Sequence, residues 1–560
     1  MNKFVPHPLL ISILLFPIFS FAQVPHLDLG DPPIAGQFTS YGAAGGGGET
    51  GLPMATGDYN GDGFLDLAHS PLLADPVVNN LPRTNAGLVY VAFGNGVISG
   101  FVDFANPPDE SLIVYGARQS DFTGNEIWTG DVNGDEIDDL LVCAQDTDGP
   151  SGTRTGAGSV YIIFGSETLQ GNIDLLNPPP GVVQIHGAEV EDRLGIWIRA
   201  ADFNGDEIDD LIVGADGGDG PNNSRTNSGC AYIIYGGEDW PLSMDLVARP
   251  PDRTILFHGI DNNDRFGATV NAADINGDGR MDALISAGFL RSGAGEGGGP
   301  ASGGGDGPGN NRTNAGESFI FFNPGEWPAE IDAANPPGSV SMTIAYGESS
   351  SDFFGEEALG GDLNQDGFDE WIVGAFPALN NRGKGYVIQG GEHLENREID
   401  LLNPPGDIIS SEIIGIGVGD IAADTMIVGD VDKDTFPDLM VGSPHWDAGG
   451  SSGFDVGRVD VLFGGPDPFP QSISLSNPPS TLRTVYIAGP DRGDILCYSM
   501  SVGDWDKDGY ADPMPNAMRG DGAGNAISGT GDGIVVSGKV LSELAPSFTP
   551  TPGPALFRVR

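Results

Sequence analysis

Seven stretches of this 560-residue sequence set oxygen-bearing side chains at alternate positions of a short loop. The first holds Asp58, Asn60, Asp62 and Asp66, with the backbone carbonyl of Phe64 between the last two. The same order recurs as Asp131, Asn133, Asp135, Ile137 and Asp139, then as Asp202, Asn204, Asp206, Ile208 and Asp210. It returns as Asp274, Asn276, Asp278, Arg280 and Asp282, and again as Asp362, Asn364, Asp366, Phe368 and Glu370. The last two copies are Asp430, Asp432, Asp434, Phe436 and Asp438, and Asp504, Asp506, Asp508, Tyr510 and Asp512. In each, positions 1, 3, 5 and 9 offer side-chain oxygens and position 7 a carbonyl. A hard cation such as Ca²⁺ takes about six to eight oxygens, and alternate spacing lets one tight turn wrap them around the ion. Mg²⁺ fits less well, because it keeps a rigid octahedral shell with several waters. Gly at position 4 or 6 permits the sharp turn in most copies. An EF-hand loop begins the same way but ends in a bidentate Glu at position 12. Here a strand-like run follows position 9 and no Glu stands at position 12. The expected cofactor is Ca²⁺, up to seven ions.

The elements that must hold these loops are legible from their surroundings. The first Asp of each loop recurs at intervals of 68 to 88 residues. An apolar segment precedes the loop, as in Phe266-Gly-Ala-Thr-Val, and a second follows at once, as in Leu211-Ile-Val-Gly. A third reads Val160-Tyr-Ile-Ile-Phe-Gly, and a Pro-Pro turn leads into a fourth such as Thr254-Ile-Leu-Phe-His-Gly. Four antiparallel strands per unit make one propeller blade. The last unit stops after its third strand, near Ile534 to Leu541, while an Asp28-Leu29-Gly-Asp-Pro32-Pro33 phrase precedes the first loop. Residues 27–42 are therefore expected to supply the missing outer strand. The fold expected is all-β, a seven-bladed β-propeller with four-stranded blades, its N-terminal strand closing the last blade and removing open edges.

These motifs resemble the FG-GAP repeats of the integrin α-subunit propeller and its bacterial relatives. The FG element reads Phe266-Gly267, Phe354-Gly355 and Leu194-Gly195; the GAP element reads Gly214-Ala215, Gly374-Ala375 and Gly442-Ser443-Pro444. The resemblance covers roughly residues 27 to 545. It implies Ca²⁺ in the hairpin between strands one and two, on ligands at positions 1, 3, 5, 7 and 9. Integrins load only some blades, whereas all seven loops here carry ligands. Glu370 at position 9 of loop five and Pro437 in loop six depart from the pattern.

Composition bounds the rest. Asp plus Glu number 79 against 25 Lys plus Arg, a formal charge of −54. Phosphate-backbone recognition depends on Lys and Arg, so nucleic acid is excluded as a partner, and an anionic membrane surface is disfavoured. A hydrophobic fraction of 39% is enough for a core. Residues 1–22, with Lys3, the apolar run Leu9 to Phe21 and small Ser20 and Ala22, read as a secretory signal peptide. The domains expected are thus 1–22 signal peptide, 23–545 propeller and 546–560 Pro-rich tail. No later stretch is long and apolar enough to span a bilayer as a helix, so an exported or periplasmic monomer is expected. Cys143, Cys230 and Cys497 are too few for a disulfide framework and are expected as buried thiols, a Cys143–Cys230 bridge being the alternative.

In a four-stranded meander the metal hairpins share one face of the disc with the Pro-Pro connections. The opposite face receives the strand two–three loops and the blade-to-blade turns. There Arg83-Thr-Asn85, Arg154-Thr-Gly156, Arg225-Thr-Asn227 and Arg312-Thr-Asn314 recur, with Arg382 a shorter variant. Arg can present a planar fork of donors to an acidic or sugar ligand, but pairing with local carboxylates is the favoured reading. The Gly-rich stretch 289–311 reads as a linker-like loop. His186 and His258 share a repeat slot filled by Tyr41, Tyr115 and Tyr346 elsewhere, which points to packing. No nucleophile motif or zinc-ligand cluster stands out. The expectation is therefore a non-enzymatic extracellular binding or adhesion module for protein or polysaccharide; the alternative is a carbohydrate-active enzyme of the polysaccharide lyase kind.

Overall fold

The computed structural model describes residues 24–30, 33–43, 53–289, 303–447, 455–522 and 529–545. The expected signal peptide, the Pro-rich tail and most of the Gly-rich stretch lie outside the described residues.

Seven sheets form the ring, and in six of them the four antiparallel strands of a blade follow in chain order from the inside outward; in blade seven an N-terminal strand takes the outer place. Blade two is typical: Ile127–Gly130, Asp139–Ala144, Ser159–Ile163 and Val182–His186. Each sheet also gains a short fifth strand, lying parallel on the outer edge. In six sheets it comes from the next blade, out of the connection between that blade's third and fourth strands; in blade six it comes from the N-terminal segment. Ser243–Asp245 of blade three pairs in this way with Gln184–His186 of blade two. The expected four-stranded blade is therefore a five-stranded sheet with one borrowed strand. The borrowed strand covers an edge that would otherwise expose unpaired N–H and C=O groups.

The ring closes as the sequence predicts. Gln37–Tyr41 pairs antiparallel with Asp532–Val536 as the outer strand of blade seven, and Gly100–Asp103 of blade one adds the fifth. His26–Asp28 lies parallel on Tyr486–Ala488 of blade six. One N-terminal segment thus stitches two blades.

Alternation along each strand explains the near-continuous apolar runs. In Asp210–Ala215, Leu211 and Val213 pack with Val160 and Ile162 of blade two, while Ile212 faces Ile285 and Phe319 of blade four. Strands buried on both faces show no polar alternation. Each fully buried aliphatic contributes about 1.5–3 kcal/mol. The glycines of the FG and GAP elements meet at the blade boundary. Within blade three the Gly195 N–H donates to the Gly214 carbonyl at 2.9 Å, and a Cβ on Gly214 would strike the Gly267 carbonyl oxygen of blade four. Gly267 has φ +85°, and a Cβ there would sit 2.2 Å from the Cys230 carbonyl oxygen, so neither conformation nor space admits a side chain. All three cysteines are free and buried, and no Cys143–Cys230 bridge forms.

Candidate metal loops and the opposite face

Each predicted ligand loop occupies the hairpin between strands one and two of its blade. In loop one the Asp58 carboxylate straps the turn: Oδ1 accepts from the Asp62 N–H at 3.0 Å and Oδ2 from the Gly63 N–H at 2.6 Å. Asn60 Oδ1 accepts from the Asp62 N–H, and Asp62 Oδ1 from the Phe64 N–H, both at 2.9 Å. Both position-1 straps repeat at Asp131, Asp202, Asp274, Asp362 and Asp430, and the Oδ2 strap alone at Asp504. These bonds fix the side chains of positions 1, 3 and 5 against the backbone of the turn.

Position 9 differs, being buried at the base of the hairpin in all seven copies. Asp66 accepts from the Tyr59 N–H at 3.0 Å and from the Gly94 N–H at 2.9 Å, which ties the loop to strand three. Burial pushes Asp66, Asp139, Asp282, Glu370 and Asp438 up to about 8, and Asp210 and Asp512 up to about 7; neighbouring loop carboxylates add to the rise. Glu370 reproduces the backbone bond of Asp, accepting from the Leu363 N–H at 2.7 Å, and its second oxygen accepts from Asn364 Nδ2 at 2.9 Å.

The donors suit a hard divalent cation. In loop six, carboxylate oxygens of Asp430, Asp432 and Asp434 lie within 4.8 Å of one another; in loop seven, those of Asp504, Asp506 and Asp512 do. Loops one to five carry Asn at position 3, so their acid groups are sparser. Asp432 Oδ1 and Asp504 Oδ1 are buried with no hydrogen-bond partner. Oxygens so placed repel one another unless a cation lies among them. Three loops carry competitors: Arg280 bonds Asp278, Arg483 bonds Asp432, and Lys539 pairs with Asp508.

Sequence reasoning missed a second set of acids beside the ligands. Asp138, at position 8 of loop two, reaches back so that its Oδ2 accepts from the Asp58 N–H of loop one at 2.7 Å. Asp209 does the same for Asp131 at 3.1 Å, and Asp369 for Asp274 at 2.8 Å. The signal was the acidic doublet, Asp138-Asp139, Asp209-Asp210 and Asp369-Glu370, which only some loops carry.

On the opposite face the recurring arginines are spent on neighbouring blades. Arg83 pairs with Asp174, Arg154 with Asp245, Arg225 with Asp332 and Arg312 with Asp400, at 2.6 to 2.8 Å. All four aspartates end a borrowed fifth strand. Blade five breaks the rule: its borrowed strand ends in Ser474, and Arg382 Nε is buried without a partner. The histidines pack as expected. His186 Nδ1 lies 3.3 Å from Ser159 Oγ and His258 Nε2 3.1 Å from Glu330 Oε1, and burial lowers the pKa of both. Both 3–4 connections and 2–3 loops therefore meet at the rim, because each connection runs along the outer edge before its Pro-Pro turn.

The FG-GAP repeat profile matches residues 194–234, from Leu194-Gly195 through loop three to the third strand of that blade. Integrin alpha-PS5 of Drosophila melanogaster is 28% identical over 226 residues, which is 40% of this chain and 18% of that protein. The protein carries an integrin-α-like FG-GAP propeller. This FG-GAP chain is also 34% identical over 166 residues to phosphatidylinositol-glycan-specific phospholipase D of Mus musculus, and 28% identical over 187 residues to that of Dictyostelium discoideum. These matches cover 30% and 31% of the chain and 18% of each relative. The chain thus spans under a fifth of the length of these relatives. Relatives named as a phospholipase overturn the expectation of a non-enzymatic protein. That expectation rested on the want of a nucleophile or zinc motif in the sequence. Among the described residues no helix is long and apolar enough to cross a membrane.

Proposed function

We propose that the protein is an extracellular, calcium-stabilised propeller that recognises a protein or polysaccharide through the face opposite its metal loops. The observation that carries this reading is the division of labour between the faces. One face holds seven loops with the same oxygen donors. The other holds turns of unequal length with apolar tips: Val77 and Leu81 on the strand two–three hairpin of blade one, each 64% exposed, and Val190 and Val418 on blade-to-blade turns, 55% and 66% exposed. Val77 and Leu81 stand together on one hairpin, and adjoining exposed apolar side chains are a feature of contact surfaces. Because the arginines of this face are committed to Asp174, Asp245, Asp332 and Asp400, they are rivets of the ring rather than ligand forks.

A catalytic role is a second reading, favoured by the phospholipase relatives. One assay addresses both. The full chain is passed over immobilised polysaccharides and extracellular-matrix proteins with and without chelator, reading retention together with product release and new double-bond absorbance. Retention that Val77→Asp and Leu81→Asp abolish, with melting temperature unchanged, supports the face. Retention indifferent to both substitutions contradicts it.

A further inference from the structure

The innermost strands of all seven blades line one cavity of about 200 Å³ at the channel mouth. It opens on the side opposite the metal loops, since it is bounded by the starting ends of those strands. Successive inward positions are two residues apart, as a strand requires. Five residues before the first Asp of their loops stand Glu126, Trp197 and Glu357; two residues further on stand Trp128, Arg199 and Asn271. These six residues, from blades two to five, break the sevenfold symmetry on one side of the channel.

Their arrangement is that of a prepared polar site. The Arg199 guanidinium sits 3.9 Å from the Trp128 ring centroid and 5.1 Å from that of Trp197. Its Nη1 donates to Glu126 Oε1 at 2.6 Å, so its charge is matched within the wall. Three polar atoms on lining residues are buried without a partner: the Arg199 Nε–H, the Trp197 indole N–H and Gln145 Oε1. Glu357 is only 4% exposed and shares the charge of Arg199 with Glu126; burial pushes it up to about 8, so at neutral pH it can both donate and accept. Unused donors and acceptors side by side, flanked by indole faces, match a ring bearing hydroxyls, each of which gives and takes a hydrogen bond. The cavity is smaller than the ~300–1,000 Å³ of sites for drug-sized ligands. Glu126, Glu357, Glu356 and Asp424 all line it, against the single Arg199, which disfavours an anionic guest.

We propose that the channel mouth binds one ring of a neutral saccharide, held by Trp128, Trp197, Arg199, Asn271 and Glu357. This rests on the reading of the face as a ligand surface and names a ligand class for it. Saturation-transfer difference NMR on the full chain in calcium buffer tests it. The probes are glucose, galactose, mannose, rhamnose and N-acetylglucosamine, with galacturonate as the anionic control. At least one neutral sugar gives a saturable signal, at least tenfold stronger than galacturonate and reduced at least tenfold by Glu357→Met and Trp128→Ala. Should Trp128→Ala fail to fold, Glu357→Met, which keeps the volume and removes donor and acceptor, decides. No saturable neutral sugar, a preference for galacturonate, or an unchanged signal in Glu357→Met overturns the proposal. Retention of a polymer or protein that survives Glu357→Met but is lost in Val77→Asp keeps the face and discards the channel.

Discussion

Arg83 in the strand two–three loop of blade one holds both carboxylate oxygens of Asp174, which ends a strand borrowed from blade two, with parallel bonds of 2.6 and 3.0 Å. Arg83 also donates to the Gly116 carbonyl at 2.7 Å, so one guanidinium joins three segments of chain. The bond holds the Asp174 carboxyl below its usual range. The same join recurs at the next three blade boundaries. A propeller that closes without a disulfide depends on such joins to keep neighbouring blades in register.

Breaking this pair should be costly. Arg83 is buried, and removing one partner of a buried pair typically costs about 3–5 kcal/mol. We expect Arg83→Ala near the lower end, since the Asp174 side chain keeps 21% exposure. Arg83→Lys should recover only part, because Lys lacks the planar fork. A denaturant-based double-mutant cycle with Asp174→Asn should return a coupling of about 1–3 kcal/mol; additive losses would show the pair to be idle.

The N-terminal segment should matter as much as any blade. Deleting residues 23–42 removes the outer strand of blade seven and the fifth strand of blade six. A broad, lowered thermal transition is expected. A melting temperature equal to that of the full chain would refute the closure.

Gly267→Ala should cost more than about 1 kcal/mol, because the residue has positive φ and its Cβ would strike the Cys230 carbonyl. Gly152→Ala, also at positive φ but with open space around it, is the control that isolates the clash.

Acid should find the closure strand through His69. Its Nε2 lies 2.9 Å from Ser40 Oγ on Gln37–Tyr41, and burial lowers its pKa from the ordinary value to about 4. The folded state therefore takes up this proton later than the unfolded state does. Stability from the neutral ring is present above about pH 6.5 and is lost as pH falls towards 4. Between pH 7.5 and 5 the loss attributable to His69 should be about 2 kcal/mol. Buried carboxylates with raised pKa act in the opposite direction, so the test is the difference between wild type and His69→Gln across that range. Parallel curves would remove His69 as the cause.

What could be read in advance follows from what repeats. The loops were legible because seven copies keep one spacing, and the blades because each apolar run is bounded by Gly or Pro. The borrowed strands were not: Glu330–Asp332 is three residues long, and only its non-local partner Leu256–His258 makes it a strand. Asp174 looked like part of a Pro-Pro turn until ring closure brought it to Arg83. The channel residues could not be recognised as a group either. Glu126, Arg199 and Glu357 lie far apart in sequence and stand five, three and five residues before their loops, a relation with no meaning until seven inner strands face one axis.

The central claim is that the oxygen loops hold Ca²⁺ and that the ion stabilises the ring. A ligand bound only by the folded state stabilises it by about 2.7 kcal/mol per site at a hundredfold excess over Kd. The most direct test is calorimetric titration of the chelator-stripped full chain with Ca²⁺, with a thermal melt at each end point. Several ions bound per chain and a melting temperature that rises with Ca²⁺ are the expected result. No binding heat, with a melting temperature unchanged by chelation, would contradict the account.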